Sequence, residues 1–526
     1  MSPCPSSLPI DVPSLTRLVL ALQARNDDLQ GRVAFLERQL FGAKSERLAT
    51  VEPTQGALDL GDLSDAPAAA NDDAPARESG RRVSHPPVRR NIGALPRHLP
   101  RCERVIEPES LTCPCCSGAL HRIGADVSEA LDVVPAILRV IRTIRPRYAC
   151  RHCMSSVVQA PAPSRVMNGS MASTALVSHV VVAKFGWHLP LHRQSQMLAS
   201  RGVFVDRGTL GHWVERAAWW LKPLHERLLD FIRQQQRVFC DETPLPRLDP
   251  GRKRTKICQL WAQAIDDRPW QGPAPPAVGY VFAESRSARE AEAQLRSFSG
   301  VLQVDGYGSY KTLVERRRRM SNAGPLQLAF CLAHARRKFV EVVKTTGSSE
   351  ALAIVSLIAG IYRIEGRIRG TDAEMRLRVR RAESAPIMAE LKECLAALVA
   401  ETSQQSSLNK ACRYMLNHWS GLMVFVSDGR VEVDSNVVER SMKSVALTRR
   451  NALFAGSARG GETWAILASL VNTAKLNGVD PEIWLGDVLE RIVSGEVTVN
   501  RLDDLLPWRW KAEREALSAG LNEVAA

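Results

Sequence analysis

Two short apolar runs that each end on an aspartate constrain this chain more than any other feature. RVFCDETPL carries Asp241 and GVLQVDGYGSY carries Asp305, each where the apolar run stops. Between them lie two further apolar runs, KICQLWAQAIDD and AVGYVFAES, and a helical pattern, SAREAEAQLRSF. The order strand, strand, strand, helix, strand implies an antiparallel meander. A crossover then returns the fourth strand parallel to the first. If those two strands are sheet neighbours, Asp241 and Asp305 project towards one another, and two carboxylates held close need a shared cation. Each also has a plain reading. Asp241 can cap a turn, and Asp305-Gly306 is a turn dipeptide.

A third acid lies far along the chain. The stretch VEVDSNVVERSMKSVALTRRNALFAGSARGG, residues 431–461, sets Glu439 among Arg440, Lys443, Arg449, Arg450 and Arg459. Glu439 can hold a metal ion on the path of a polyanion whose phosphates the cations hold. It can equally be the N3 residue of a capping box with Asn436 as N-cap. The first turn of such a helix would aim Glu439 back at the sheet edge. Gly456, Gly460 and Gly461 would let the loop approach that polyanion closely, or serve simple turns. Between the second and third acids, CLAHARRKF places Cys331 and His334 before Arg336, Arg337 and Lys338. Cys-x-x-His is half a metal site with no second half in view, so His334 reads as site-lining or structural. The three cations read as a phosphate-facing or solvated edge. Residues 347–417 read as an all-α insertion interrupted at Pro386.

The 526 residues call for three or four domains. A net charge of +14 points to an anionic partner. No apolar run approaches the roughly 18 residues of a spanning helix, and MSPCPSSLPIDVPS is not a secretory signal. The expected location is cytoplasmic, with the nucleoid, and no membrane partner. There the twelve cysteines are not expected as disulfides.

Four of the cysteines are paired by spacing. Cys113 with Cys116 and Cys150 with Cys153 form the ribbon pattern of a structural zinc site. Cys102, Cys115 and His152 are substitute ligands, and four buried free thiols are the alternative. The 33 residues between the pairs read partly as strands. At the N-terminus, Leu15, Leu22, Leu29 and Leu36 alternate in heptads with Val19, Asn26, Val33 and Leu40. That is the pattern of a parallel two-stranded coiled coil, or of a helix packed on its own chain. Residues 48–100 read as a linker, acidic and then basic. Residues 170–235 read as helices, with Gly202 stopping one and Asp206 capping the next, above a buried Trp213. A helix-turn-helix would bring Arg207, Thr209 and His212 into a groove. A helix pair without DNA is the plain reading.

Together these segments resemble the DDE transposases of bacterial insertion sequences, and within them the TnpC-type transposase of the insertion-sequence family numbered sixty-six. The resemblance rests on CDETP (240–244), VDGYGSY (304–310), CLAHARRKF (331–339), DSNVVERSMKS (434–444), RRNALFAGSARGGETWA (449–465), SLVNTAKLNGVDP (469–481) and LLPWRW (505–510). FGAKSER (41–47), the cysteine pairs and the RQSQML region match too, so nearly the whole chain is covered. Ser435 stands where Asn is expected, and Ala452 where an aromatic is common.

The resemblance implies a multidomain α/β chain. A coiled coil (1–47), a disordered linker (48–100), a zinc domain (101–165) and a helix-turn-helix-like region (166–235) precede a ribonuclease-H-like catalytic core. The core is split (236–346 and 418–475) by the all-α insertion and followed by a helical tail (476–526). It implies Asp241, Asp305 and Glu439 as ligands of two Mg²⁺ ions in DNA cleavage and strand transfer. Arg440, Lys443, Arg449 and Arg450 would hold the DNA backbone, and the N-terminal modules would recognise the terminal inverted repeats. A homodimer or higher oligomer and companion proteins from the same element would be partners. The rival readings are a decayed or domesticated DNA-binding protein without catalysis and a nuclease that hydrolyses without joining.

Overall fold

The computed structural model of the chain describes residues 138–145, 147–149, 157–159, 162–252, 254–319 and 324–524. The coiled coil, the linker and the zinc ligands Cys113, Cys116, Cys150 and Cys153 lie outside the described residues, as do Cys102, Cys115 and His152. One unit, residues 62–162, contributes β1 (Arg147–Ala149) and β2 (Val157–Gln159), which pair antiparallel with Arg147 opposite Gln159. The strands flank the second cysteine pair. Residues 138–145, expected as strand, carry no regular structure, and Val140, Ile141 and Ile144 are exposed.

Among the described residues of the other unit, the first helices are α1 (Thr174–Phe185), α2 (Leu191–Ala199) and α3 (Arg207–Arg233). The turn between α2 and α3 carries Gly202 in the left-handed region. Asp206 caps α3 as its sequence predicts, accepting from the N–H groups of Gly208 at 2.6 Å and Thr209 at 3.0 Å. Trp213 is buried.

Then comes the sheet. Among the described residues it has five strands in the order β5-β4-β3-β6-β7. They are β3 (Arg237–Asp249), β4 (Arg254–Ile265), β5 (Ala277–Ala283), β6 (Gly300–Val304) and β7 (Leu326–Phe330). The β3–β4 and β4–β5 pairs are antiparallel, and β3–β6 and β6–β7 are parallel. The meander and the parallel return are thus as expected, but β7 adds a strand to the four read from the sequence. Between β5 and β7 lie α4 (Ala288–Gln294) and α5 (Gly308–Arg318).

β3 does not end at Asp241, and Pro244 and Pro246 do not stop it. Beyond Phe239 it leaves β6 and runs on with β4 alone to Asp249. The Pro246 carbonyl and the Leu248 N–H face the open side, where both bond Ala455. The missing proline N–H therefore falls on the open edge, and the ladder with β4 loses nothing. At the other margin, β5 is closed by the helix Ala458–Leu476. There Ser469 Oγ accepts the Tyr280 N–H at 2.7 Å and Thr473 Oγ1 accepts the Val278 N–H at 3.1 Å. The His225 ring bonds the Tyr280 carbonyl at 3.0 Å. Helix side chains stand in for a sixth strand.

Beyond the sheet the chain is helical. It forms α6 (Leu332–Thr346), α7 (Ser349–Ile368), α8 (Ala373–Val379), α9 (Ala385–Glu401), α10 (Ser407–Asn417), α11 (Trp419–Leu422) and α12 (Val424–Ser427). Pro386 does not break this run. It falls in the first turn of α9, directly after a π-helical segment, Arg380–Ser384, that joins α8 to α9. The wider turn accommodates what an α-helical interior would not. The last helices are α13 (Asn436–Ala452), α14 (Ala458–Leu476), α15 (Pro481–Val493) and α16 (Pro507–Val524). The helical tail continues past LLPWRW through α16. Among the described residues no helix is long and apolar enough to cross a membrane.

The insertion is fastened to the core by two buried arginines on successive turns. Arg380 grips Glu365 with two bonds of 2.7 Å and gives its remaining Nη1 to the Val431 carbonyl at 2.8 Å. Arg376 donates to Glu432 at 2.6 Å. Arg380→Ala would leave the buried Glu365 with only its longer 3.4 Å contact to Arg376. It should cost about 3–5 kcal/mol of stability, read as a shift of the urea midpoint at unchanged slope. A shift below about 1 kcal/mol would mean that the grip is not structural.

Candidate functional site

The parallel register brings the two aspartates together. Phe239 on β3 is level with Gln303 on β6. Asp241 and Asp305 each stand two residues further on, just past the last pair of the β3–β6 ladder, and the Asp305 charge bears on Asp241. Asp241 Oδ1 accepts the Glu242 N–H at 2.8 Å, and Asp305 Oδ1 accepts the Tyr307 N–H at 2.9 Å. Gly306 follows in the left-handed region at φ +98°, and a Cβ there would lie 3.0–3.1 Å from His418 and Tyr414. Only glycine combines that conformation with that space. The Tyr414 hydroxyl donates to the Asp305 carbonyl at 3.0 Å, so α10 of the insertion holds the aspartate's loop.

Glu439 arrives from the first turn of α13, but not through the expected capping box. The N-cap is Ser435, and Asn436 is the first helical residue. The Asp434 carboxylate takes the Asn436 N–H at 3.1 Å, which makes Asn436 the recipient of a cap rather than its donor. The Ser435 N–H goes to Cys331 Sγ at 3.3 Å, and its hydroxyl donates to Glu439 Oε1 at 3.1 Å. The segment before it is stitched to the sheet. Gln303 exchanges two hydrogen bonds with the Glu432 backbone, and the Leu332 N–H donates to the Val433 carbonyl.

Asp241 feels the other two acids. Burial, then the Glu242 and Asp305 carboxylates, push the Asp241 carboxyl up to about 7, and Glu439 adds to the shift. Glu242 was not singled out in the sequence. It is buried, accepts from the Tyr310 hydroxyl at 2.8 Å, and is paired with Arg286. Arg286 Nη2 also stands 3.9 Å from Asp305 Oδ2. Oxygen donors crowded until one of them holds its proton near neutrality fit a hard divalent cation.

The cations expected to hold DNA differ in their surroundings. Arg440 and Arg450 are exposed and Lys443 is half-buried. Arg449 donates to Thr243 Oγ1 at 3.1 Å and to the Pro244 carbonyl, fastening β3 to α13. Arg459 pairs with Glu215. Arg337 and Lys338 are exposed, with Lys338 over the Tyr414 ring at 4.3 Å, while Arg336 is half-buried. On α3, Arg207 and His212 are exposed, and the Thr209 hydroxyl is spent on Asp206 at 2.8 Å. Of the three loop glycines, Gly461 packs against the Phe282 ring, Gly460 lies in the first turn of α14, and Gly456 is in open space.

Comparison with known proteins places this arrangement. A family described as "Transposase IS66 family" matches residues 169–463. The "zinc-finger binding domain of transposase IS66" matches 110–154 and the "IS66 C-terminal element" matches 469–508. "Transposase C of IS166 homeodomain" matches 28–104. The chain belongs to the IS66 family of transposases. It is 64% identical over 514 residues to the uncharacterized protein y4jD of Sinorhizobium fredii (strain NBRC 101917 / NGR234), covering 97% of this chain and 99% of that one. The uncharacterized protein y4hP of the same organism is 35% identical over 92% of this chain and 88% of its own length. These matches support a transposase role, a DNA partner, a zinc-binding module and use of a divalent metal ion.

The crowding at Asp241 has a measurable consequence. The folded chain holds this proton to about pH 7, whereas an unperturbed aspartate loses it near 3.8. Ionising it in place therefore costs stability progressively as pH rises between those values. Asp241→Asn removes the cost and keeps an oxygen for the Glu242 N–H. In chelator at pH 8 it should stabilise the protein by on the order of 1–4 kcal/mol, a gain that shrinks towards pH 4. Thermal melts at the two pH values measure it, and a pH-independent difference would contradict the crowding.

Proposed function

We propose that the chain is a DDE transposase of a bacterial insertion sequence, binding the element's ends and catalysing metal-dependent cleavage and strand transfer on a ribonuclease-H-like core. The observation that carries this reading is the convergence of Asp241, Asp305 and Glu439, from two adjacent parallel strands and one helix, into a single coupled cluster. The mixed sheet, an antiparallel meander joined to parallel strands and interrupted before the third acid by helices, supports the same reading.

Asp241 would be the shared ligand in this proposal, since the charges of both Asp305 and Glu439 bear on it. Asp305 and Glu439 would each hold one of two Mg²⁺ ions. Bound there, the ions would supply activation of the attacking oxygen and charge stabilisation at the leaving 3′-oxygen of an in-line displacement. Arg440, Lys443, Arg449 and Arg450, with Arg336, Arg337 and Lys338, are assigned to the phosphate backbone, which positions DNA without reading its sequence. Arg207, Thr209 and His212 are assigned to end recognition, although Thr209 must first release Asp206. Cys113, Cys116, Cys150 and Cys153 are assigned to a structural zinc ion. The functional form is a dimer or larger assembly on DNA at the nucleoid, with companion proteins of the element as partners.

Asp241→Asn, Asp305→Asn and Glu439→Gln should each lower strand transfer with Mg²⁺ by roughly 10³-fold or more, since each removes several kcal/mol of transition-state stabilisation. Binding to terminal-repeat DNA should stay largely intact. Normal joining by any one of them would sink the triad. Hydrolysis without joining by the wild type would instead favour a nuclease.

A further inference from the structure

Cys331 and His334 have no part in a magnesium-carboxylate site, yet they sit against its third acid. Cys331 is the N-cap of α6, and His334 lies in the helix's first turn. The start of α13 is drawn onto them by the Ser435 N–H donated to Cys331 Sγ and the Leu332 N–H donated to the Val433 carbonyl. One ligand atom from each of Cys331, His334 and Glu439 lies within 4.8 Å of the others. His334 Nδ1 is already 3.5 Å from Glu439 Oε1. In a tetrahedral zinc site, neighbouring donor atoms are roughly 3.3–3.7 Å apart. A small rotation of the side chains closes the difference.

We propose that Cys331, His334 and Glu439 form a second metal site, suited to zinc or a comparable thiophilic divalent ion. Its occupation would compete with the hard cation of the carboxylate cluster for Glu439. Thiol and imidazole are the wrong donors for magnesium and the right ones for zinc. His334 Nδ1 is shielded from solvent and makes no hydrogen bond. The donated N–H on Cys331 Sγ and the Ser435 hydroxyl on Glu439 provide the outer support that orients metal ligands. The Glu439 and His334 side chains remain 15% and 24% exposed, which leaves a way in. Binding displaces the thiol proton to solvent, one per ion. Three protein donors leave a fourth position for water or a phosphate oxygen.

The existence of this site is independent of the transposase reading, whereas its competition for Glu439 rests on it. Full-length protein is stripped with chelator, dialysed against Zn²⁺, desalted and assayed for metal content. The wild type should retain one zinc more per chain than either Cys331→Ser or His334→Gln, whatever the N-terminal module holds. Losing a direct ligand should weaken binding by more than roughly 100-fold. His334 is partly exposed, so His334→Gln carries the test if the buried Cys331→Ser fails to fold. Equal zinc in wild type and folded variants would overturn the site. Zn²⁺ titrated into wild-type strand transfer with saturating Mg²⁺ should inhibit it at the concentration that fills this site. Full activity with the site filled would overturn the competition. Glu439→Gln assayed in Mg²⁺ without zinc reports on the triad separately.

Discussion

The buried grip of Arg380 and Arg376 on Glu365 and Glu432 is the constraint on which the rest of the structure depends. Burying a guanidinium is costly unless its donors are matched. Arg380 is fully buried, and its fork is filled by the two oxygens of Glu365 while its third nitrogen reaches backbone carbonyls of α12 and of the segment after it. That segment is the one that delivers Glu439. Along it, Glu432 answers Arg376 with its side chain and Gln303 with its backbone. Gln303 in turn lies on β6, two residues before Asp305. Two acids 134 positions apart in the chain are thus located by one run of hydrogen bonds, and the helical insertion is one of its anchors.

The site's electrostatics run against those of the whole chain. The net charge is +14, yet Asp241, Glu242, Asp305 and Glu439 gather in a partly buried patch, with Asp434 near Glu439. Burial pushes the Asp434 carboxyl up to about 6 as well. A basic surface draws in a polyanion over long range, while a small acidic centre within it favours a cation at short range. Both features suit a protein of the IS66 transposase family.

Much of the site was legible because its two aspartates follow apolar runs whose order fixes a parallel return. The β3–β6 register, which no composition reveals, ends two residues short of both. Glu242 and Arg286 were not legible. Their roles arise from packing between β3 and the loop after β5, and a Glu next to an Asp carries no such signal. The capping of α13 was misread because Asn436 and Glu439 have capping-box spacing, while Asp434 competes locally for the same N–H. Cys331 and His334 announced half a site, and its other half was the residue already assigned elsewhere. Pro386 misled because a proline breaks a helix in an interior turn, and this one falls in the first turn of α9 directly after the π-helical segment.

The overrun of β3 past Asp241 completes the picture. A γ-turn at Leu453, closed by the Phe454 N–H on the Ala452 carbonyl, reverses the chain so that Ala455 joins the far end of that strand. Helix α13 is therefore moored at both ends, to Cys331 at its start and to β3 just beyond its finish. Asp241 and Glu439 belong to one braced frame, and the entropy of bringing them together is spent when the chain folds rather than when a ligand arrives.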